Sequence, residues 1–83
     1  MKFTSVKEME AALLKVTSLK QLQEDITFKS LGKEITVKML GVGASGGEKE
    51  VAYLAHDGAD QMKVKFSGAG DAITVSEVKV TLR

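Results

Sequence analysis

Residues 26–39, ITFKSLGKEITVKM, decide the fold class of this chain. Apolar residues alternate with Thr, Lys and Glu on both sides of the LGK stretch at 31–33, which is the period of a half-buried β-strand. Two alternating runs joined by a turn that contains glycine predict a β-hairpin. An antiparallel sheet is therefore the expected base of the fold.

Residues 5–16, upstream of this hairpin, have a helical pattern instead. Ser5 and Glu8 have the spacing of a capping box at a helix start. An apolar stripe at helical spacing follows, formed by Val6, Met9, Leu13 and Val16. A second start signal at Ser18 makes residues 18–24 either a short second helix or a turn that leads the chain back to the core.

Two further alternating runs lie in the C-terminal half. Residues 62–66 alternate apolar residues with Lys, and GAGD at 68–71 follows as a turn. The last run, AITVSEVKVTLR at 72–83, changes the parity of its apolar residues midway. A bulge or kink near residues 76–77 would turn both apolar sets to the core, and such bulges bend strands towards small barrels.

The segment EKEVAYLAHDG at 48–58 fits either a strand or a short helix. We favour the strand, because Gly58 comes too soon for more than about three helical turns. GADQ at 58–61 then serves as the loop of a hairpin with the next strand.

These patterns predict one α+β domain over residues 1–83. An N-terminal helix, or two, packs on a twisted four- to five-stranded antiparallel sheet that tends towards a small, partly open barrel. The expected core consists of Val6, Met9, Leu13, Val16, Leu22, Ile26, Phe28, Ile35, Val37, Met39, Leu54, Val64, Phe66, Val75, Val80 and Leu82.

Composition narrows the class of protein. Hydrophobic residues at 43% and charged residues at 28% are ordinary for a globular domain, and the net charge of +1 does not by itself indicate nucleic acid. The absence of cysteine excludes disulfides and thiolate metal sites. The N-terminus lacks the apolar region of a signal peptide, and no stretch approaches the roughly 18 apolar residues of a membrane span. We therefore expect a cytoplasmic protein without membrane contact.

The stretch GVGASGG at 41–47 spells G-x-G-x-x-G with Gly41, Gly43 and Gly46. A dinucleotide site needs this turn between a strand and a helix in repeated βαβ units, for which 83 residues are too few. A phosphate-binding P-loop is excluded because Gly47 stands where Lys is required. We interpret the stretch as a mobile loop between strands, with phosphate-ligand binding as a weaker alternative.

Catalytic and metal-binding residues are scarce. His56, Asp57 and Asp60 could form a loose metal site or an acid–base pair, but an exposed turn explains HDGAD better. No serine stands in a recognisable nucleophile setting. We therefore expect no enzymatic activity, no cofactor and no metal.

The leading functional hypothesis is a non-catalytic interaction protein, an adaptor or an inhibitor, that binds another protein. One candidate surface is the sheet face, and the other is the acidic 48–60 hairpin, which carries one Lys against four acids. Tyrosine is favoured at binding hot spots. The predicted protein-binding residues are accordingly Tyr53, Glu48, Glu50, Asp57 and Asp60.

The alternative is a small nucleic-acid-binding domain. The outward parity of the strands carries a set of basic residues with only Glu77 clearly opposing them: Lys29, Lys38, Lys63, Lys65, Lys79 and Arg83. Such a face could follow a phosphate backbone, or it could protect strand edges and keep the surface soluble. The strand edges offer a third contact, with a partner strand or with a second copy of the chain in a homodimer.

A helix followed by bent strands resembles the architecture of Sm-like proteins, and GKEITVKML at 32–40 is similar in style to their opening strand. The Asp-Asn and Arg-Gly signatures of that family are not found in this chain. The resemblance thus concerns architecture, and it implies no RNA-binding residues here.

Overall fold

The computed structural model describes the backbone of residues 1–83 and every side chain except that of Ser45. Two short helices, α1 (Val6–Leu13) and α2 (Leu19–Leu22), precede five strands. The strands are β1 (Ile26–Ser30), β2 (Lys33–Ser45), β3 (Glu48–Ala55), β4 (Gln61–Ala69) and β5 (Ala72–Thr81). They form one antiparallel sheet in the order β1-β2-β3-β4-β5, curled into a half-barrel, which confirms the predicted α+β class.

Helix α1 begins where the capping pattern predicts it. The Glu8 N–H donates to the Ser5 hydroxyl oxygen at 3.1 Å. The Glu8 carboxylate accepts hydrogen bonds from the N–H and the hydroxyl of Thr4, at 3.2 and 2.8 Å, one residue earlier than in a capping box. The helix ends at Leu13, before the predicted end, but Val16 beyond it is still buried.

Helix α2 is capped by a residue that lies far away in the sequence. The Asp71 carboxylate, in the turn between β4 and β5, accepts hydrogen bonds from the Ser18 hydroxyl at 2.6 Å and from the Lys20 N–H at 3.0 Å. The Leu19 N–H donates to the Asp71 carbonyl oxygen at 2.9 Å. Because Asp71 satisfies these donors, a helix of one turn is held against the sheet.

Two tight turns connect the first three strands. Leu31 and Gly32, with φ of 52° and 76°, join β1 to β2, and Gly46 and Gly47, with φ of 58° and 86°, join β2 to β3. Positive φ at both turn residues matches the twist of a hairpin. The expected mobile loop over 41–47 is wrong, because the first part of this stretch belongs to strand β2 and pairs with β3.

Two bulges bend the sheet. In β2 the register shifts between Met39 and Gly41, which leaves Leu40 as an extra residue. In β5 the extra residue is Ser76, because Lys65 pairs with Glu77 while the next residue of β4 pairs with Val75. This bulge lies where the change of apolar parity predicts it, and it brings both apolar sets of β5 to the concave side.

The core fills the concave side of the sheet, under α1 and α2. Most predicted core residues are buried, but Val6, Met39 and Val80 are only partly so, Leu54 faces the other side, and Leu82 is 38% exposed. The register places the opposite parity of β3 inside. Core residues not predicted from the sequence are Val51, Tyr53, Ala55, Met62 and Ile73.

We predict that Gly68→Ala destabilises the fold by about 1–3 kcal/mol, the usual range for a strained backbone position. Gly68 has φ of 130°, and a Cβ there would lie 2.3 Å from the Ala72 carbonyl oxygen. The measurement is the free energy of unfolding in urea. Gly43→Ala is the matched control, since nothing lies within 4 Å of its Cβ position. Equal stability of the two variants would contradict the prediction.

We also predict an acid-dependent loss of the α2 contact. The hydrogen bonds from Ser18 and Lys20 lower the pKa of the Asp71 carboxyl. The folded-state pKa is thus below the unfolded one, so this stabilisation is present above about pH 4 and is lost as the pH falls further. Asp71→Asn should lower the Tm at pH 7 and show a smaller drop between pH 5 and pH 2 than the unmodified protein. Parallel Tm profiles of the two proteins would refute this.

Candidate functional site

The convex side of the sheet, opposite the core, is called here the outer face. Its residues alternate with the buried ones along β2 to β5. Cross-strand pairing arranges them in three rows. The rows are Lys38, Leu54, Gln61 and Thr81; then Gly41, Ala52, Lys63 and Lys79; then Gly43, Glu50, Lys65 and Glu77.

An apolar centre lies on this outer face. Leu40 is 67% exposed, because the β2 bulge makes it an extra residue beside Gly41, opposite Ala52. Leu54 is half-buried in the adjacent row, paired with Lys38. A large aliphatic side chain exposed on a sheet face next to a second one gains from contact with another surface. We call Leu40, Ala52 and Leu54 the apolar centre.

Lys63 and Lys79 stand beside the apolar centre. They are direct cross-strand partners, and both are exposed. Neither takes part in an ion pair within the described residues. Like charges that face each other across strands repel, so this pair favours an incoming negative group.

The other predicted lysines have carboxylates as neighbours. The Lys38 Nζ lies 3.9 Å from the Asp25 Oδ2, and the Lys65 Nζ lies 3.9 Å from the Glu77 Oε1. Lys65 is also the direct cross-strand partner of Glu50. On β1 and β2, Lys29 is the cross-strand partner of Glu34. The outer face is therefore mixed in charge, and the expectation that Glu77 alone opposes the lysines is wrong.

Arg83 and Asp60 meet at the end of β5 rather than on a shared charged face. Asp60, predicted as a surface acid, is only 3% exposed. Its carboxylate accepts a hydrogen bond from the Arg83 N–H at 2.9 Å. Asp60 thus holds the chain end beside β4, and this burial corrects its expected placement on a binding surface.

The structure also corrects the placement of Tyr53. Its side chain is 1% exposed, and its hydroxyl donates a hydrogen bond of 2.5 Å to the Leu22 carbonyl oxygen at the end of α2. Burial raises the pKa of the Tyr53 phenol. Tyr53 therefore connects α2 to the sheet from inside, and it is not an exposed anchor.

The remaining predicted acids do not form one surface. Glu48 and Glu50 lie on the outer face near the β2–β3 turn, where the Glu48 carboxylate accepts a hydrogen bond from the Ser76 hydroxyl at 2.6 Å. Asp57 lies beyond the opposite end of β3 and accepts a hydrogen bond from the Ala59 N–H at 2.9 Å, which lowers its pKa. The acidic segment is therefore divided between two ends of the molecule.

The His56 cluster is a turn rather than an assembled site. His56 is exposed, while Asp57 and Asp60 bond to the main chain. Among the described residues, no three His, Asp or Glu side chains gather closely enough to hold a metal ion. The glycine stretch also lacks the geometry of a nucleotide site, because a strand and not a helix follows its turn.

The sequence interpretation missed Leu40 and assigned Leu54 to the core. A signal for Leu40 is present, since two adjacent apolar residues, Met39 and Leu40, interrupt the alternation of β2. Such an interruption is typical of a bulge that turns a side chain to the other face.

Comparisons with known protein families, with curated proteins and with solved structures found no match to this chain. The similarity of residues 32–40 to Sm-like proteins therefore supports no family assignment. Among the described residues, neither α1 nor α2 has the length and apolar character of a bilayer-spanning helix.

We predict that Tyr53 ionises only when the protein unfolds. Its folded-state pKa is raised, so the stabilisation is fully present below the ordinary value of about 10 and is lost as the pH rises above it. Since Tyr53 is the single tyrosine and the chain has no tryptophan, absorbance at 295 nm reports it alone. The absorbance rise should coincide with the loss of the far-ultraviolet circular dichroism signal.

Tyr53→Phe is the matched variant. It should cost about 1–2 kcal/mol in urea unfolding at pH 7, because the buried Leu22 carbonyl oxygen loses its donor. An absorbance rise near pH 10 while the fold is intact would contradict the buried placement.

Proposed function

We propose that this chain is a non-catalytic interaction domain, an adaptor or an inhibitor, that binds an acidic protein surface through the outer face of its sheet. The contact surface consists of the apolar centre and the lysines beside it. Its members are Leu40, Ala52, Leu54, Lys38, Lys63 and Lys79, which we call the outer patch.

The exposure of Leu40 carries this proposal. Its side chain is 67% exposed although it lies within strand β2 and not in a loop. A bulge that turns Leu40 outward shortens the regular β2–β3 ladder and leaves apolar surface in water. The cost of the exposed apolar surface is recovered when the side chain enters a pocket of a partner.

The lysines define the chemistry of the partner. Lys63 and Lys79 have no counter-charge within the described residues, whereas Lys38 and Lys65 have carboxylates at 3.9 Å. A partner that brings carboxylates to the rim removes the repulsion between Lys63 and Lys79. Such rim charges raise the association rate and make it dependent on salt.

A nucleic-acid ligand is less well supported by the same surface. Single-strand binders stack bases on exposed aromatic rings. The rings of Phe28, Tyr53 and Phe66 are buried, and Phe3 packs against the core. The outer patch therefore offers charge without a stacking platform, which favours a protein partner. The expected cytoplasmic location belongs to this proposal too, and it is supported by the absence of cysteine.

We predict that Leu40→Ser and the double variant Lys63→Glu/Lys79→Glu have a lower affinity for the partner than the unmodified protein. The unmodified protein and both variants are immobilised as baits in parallel pull-down experiments. A protein that the unmodified bait captures is then titrated with each of the three by calorimetry. Each variant should weaken binding by about tenfold or more, because truncation of a central contact costs over 1 kcal/mol. The affinity should also fall with rising salt.

Leu14→Ser and Lys7→Glu are matched controls. Leu14 is 48% exposed and Lys7 is exposed, and both belong to the helical side of the molecule. They should bind like the unmodified protein. Capture that survives the outer-patch variants but not the controls would refute the proposal. Binding of labelled single-stranded RNA or DNA that is abolished by Lys63→Glu/Lys79→Glu would replace it with the nucleic-acid alternative.

A further inference from the structure

Strand β5 is an edge strand with one side largely unpaired. It spans Ala72–Thr81 and pairs with β4 on the other side. Along the open edge, the described structure has two main-chain contacts, both near the beginning of the strand. They make up the bridge between Ser18 and Ala72: the Leu19 N–H donates to the Asp71 carbonyl oxygen at 2.9 Å, and the Ile73 N–H donates to the Thr17 carbonyl oxygen at 3.1 Å. The second half of the edge is a ready template for another strand.

The hydrogen bond of Arg83 shows in which direction the main-chain N–H and C=O groups at the end of β5 point. The Arg83 N–H donates to the Asp60 carboxylate at 2.9 Å, and Asp60 immediately precedes β4. The amide of Arg83 thus points towards β4. Because main-chain groups alternate along a strand, Leu82, Val80 and Val78 direct their N–H and C=O groups away from β4. No hydrogen bond occupies these groups within the described residues.

The other end of the strand leads to the same assignment. The Ile73 N–H faces away from β4, and alternation gives Val75 the same direction. The extra residue at Ser76 then shifts the phase by one, so the next outward group is that of Val78. After the bulge, Val78, Val80 and Leu82 therefore direct their main-chain N–H and C=O groups to the open edge.

We infer that β5 pairs antiparallel with β5 of a second copy of this chain, about a two-fold axis at Val80. In this register Val80 faces Val80, and Val78 of each copy faces Leu82 of the other. Each facing pair exchanges two main-chain hydrogen bonds. The pairing also covers Leu82, which is 38% exposed, with the partly buried Val78.

The charges on the outer face select this register. Glu77 of one copy faces Arg83 of the other, twice by symmetry, and Lys79 faces Thr81. Opposite charges at facing positions stabilise a pair of strands, whereas like charges destabilise it. Pairing about residue 79 would bring two lysines together. Pairing about Val78 would run into the bulge at Ser76, where the ladder is irregular.

A second copy fits β5 better than it fits the opposite edge, where β1 covers only residues 33–37 of β2 and the unpaired remainder of β2 is interrupted by the bulge at Leu40. Strand β1 is already covered at Thr27, whose N–H donates to the Met1 carbonyl oxygen and whose carbonyl accepts from the Phe3 N–H, both at 2.8 Å. The terminal amine also donates to the Asp25 carbonyl oxygen at 2.8 Å. The open half of β5 has no such cover, so the self-complementary edge remains free for a symmetric dimer.

The dimer is independent of the proposed function but would extend it. Strand addition about a two-fold axis continues the sheet, so the outer faces of both copies lie on the same side. Two outer patches would then be presented together, which raises avidity for a partner with two sites. A single-strand interface is small, and we expect a dimer dissociation constant of roughly 1–100 μM.

Sedimentation equilibrium of the full chain from about 1 μM to about 1 mM tests the inference in the range expected for a small interface. The unmodified protein should shift from monomer to dimer with concentration. Val80→Pro should remain monomeric, because proline removes an N–H that faces the open edge and leaves the ladder with β4 intact. Lys29→Pro on β1, whose amide shares the direction of Thr27, is the matched control and should still dimerise.

Charge exchange provides a test that depends on exposed side chains alone. Glu77→Arg or Arg83→Glu puts like charges at both facing positions and should weaken dimerisation by roughly tenfold. The double variant Glu77→Arg/Arg83→Glu restores opposite charges and should dimerise within about threefold of the unmodified protein. Loss of the contact between Glu77 and Lys65 cannot produce this rescue, since the double variant also lacks it.

Cross-linking fixes the register, because the chain has no cysteine of its own. An equimolar mixture of Lys79→Cys and Thr81→Cys should form the mixed disulfide dimer faster than either variant alone forms its own. A protein that stays monomeric over the whole concentration range overturns the inference. A dimer that is unchanged by Val80→Pro and by both single charge variants overturns it as well.

Discussion

The structure depends on the cover that the first 25 residues provide for one side of the sheet. A five-stranded meander has two faces, and a sheet with neither face buried is not stable in water. Here Met9 and Leu13 from α1 and Leu22 from α2 are fully buried against the concave face. Because these helices have only eight and four residues, the sheet must curl around them to exclude water. The bulges at Leu40 and Ser76 allow that curl.

Three contacts hold this cover in place, and each joins parts of the chain that are distant in sequence. The Tyr53 hydroxyl binds the Leu22 carbonyl oxygen in the interior. The Asp71 carboxylate caps α2 from the last hairpin, and the terminal amine binds the Asp25 carbonyl oxygen beside β1. A four-residue helix is too short to be stable alone, so its order comes from these tertiary contacts.

The convex face and the β5 edge are the surfaces that we propose for contact with other molecules. The concave face is filled, the single tyrosine is inside, and one of the predicted acids is buried. The convex face carries charges of both signs. Within the described residues, Leu40 stays exposed, and Lys63 and Lys79 take part in no ion pair. The β5 edge offers main-chain groups, and the outer patch offers side chains. The two surfaces share Lys79, whose side chain lies on the outer face, so association of copies and binding of a partner are compatible.

The sequence by itself determined the type and order of most secondary-structure elements, because these depend on local spacing. The start of α1 at Ser5, the alternation through 26–39 and the parity change in β5 are each visible within about a dozen residues. Residues 48–55 fit a strand or a short helix by local spacing, and the structure has the strand that we favour. The mismatch of GVGASGG with the dinucleotide-binding and P-loop motifs is also visible from the chain length and the missing Lys alone.

The tertiary structure alone decided which side chains face the core and which charges meet. The two parities of β3 are both apolar in part, so only pairing of Tyr53 with Met62 fixes which one is inside. Asp60 is a turn residue by composition, yet it is buried because the end of β5 returns to it. The lysines share an outward parity, but their placement beside Asp25, Glu50 and Glu77 depends on strand order. Register and strand order are long-range properties, and local residue spacing does not contain them.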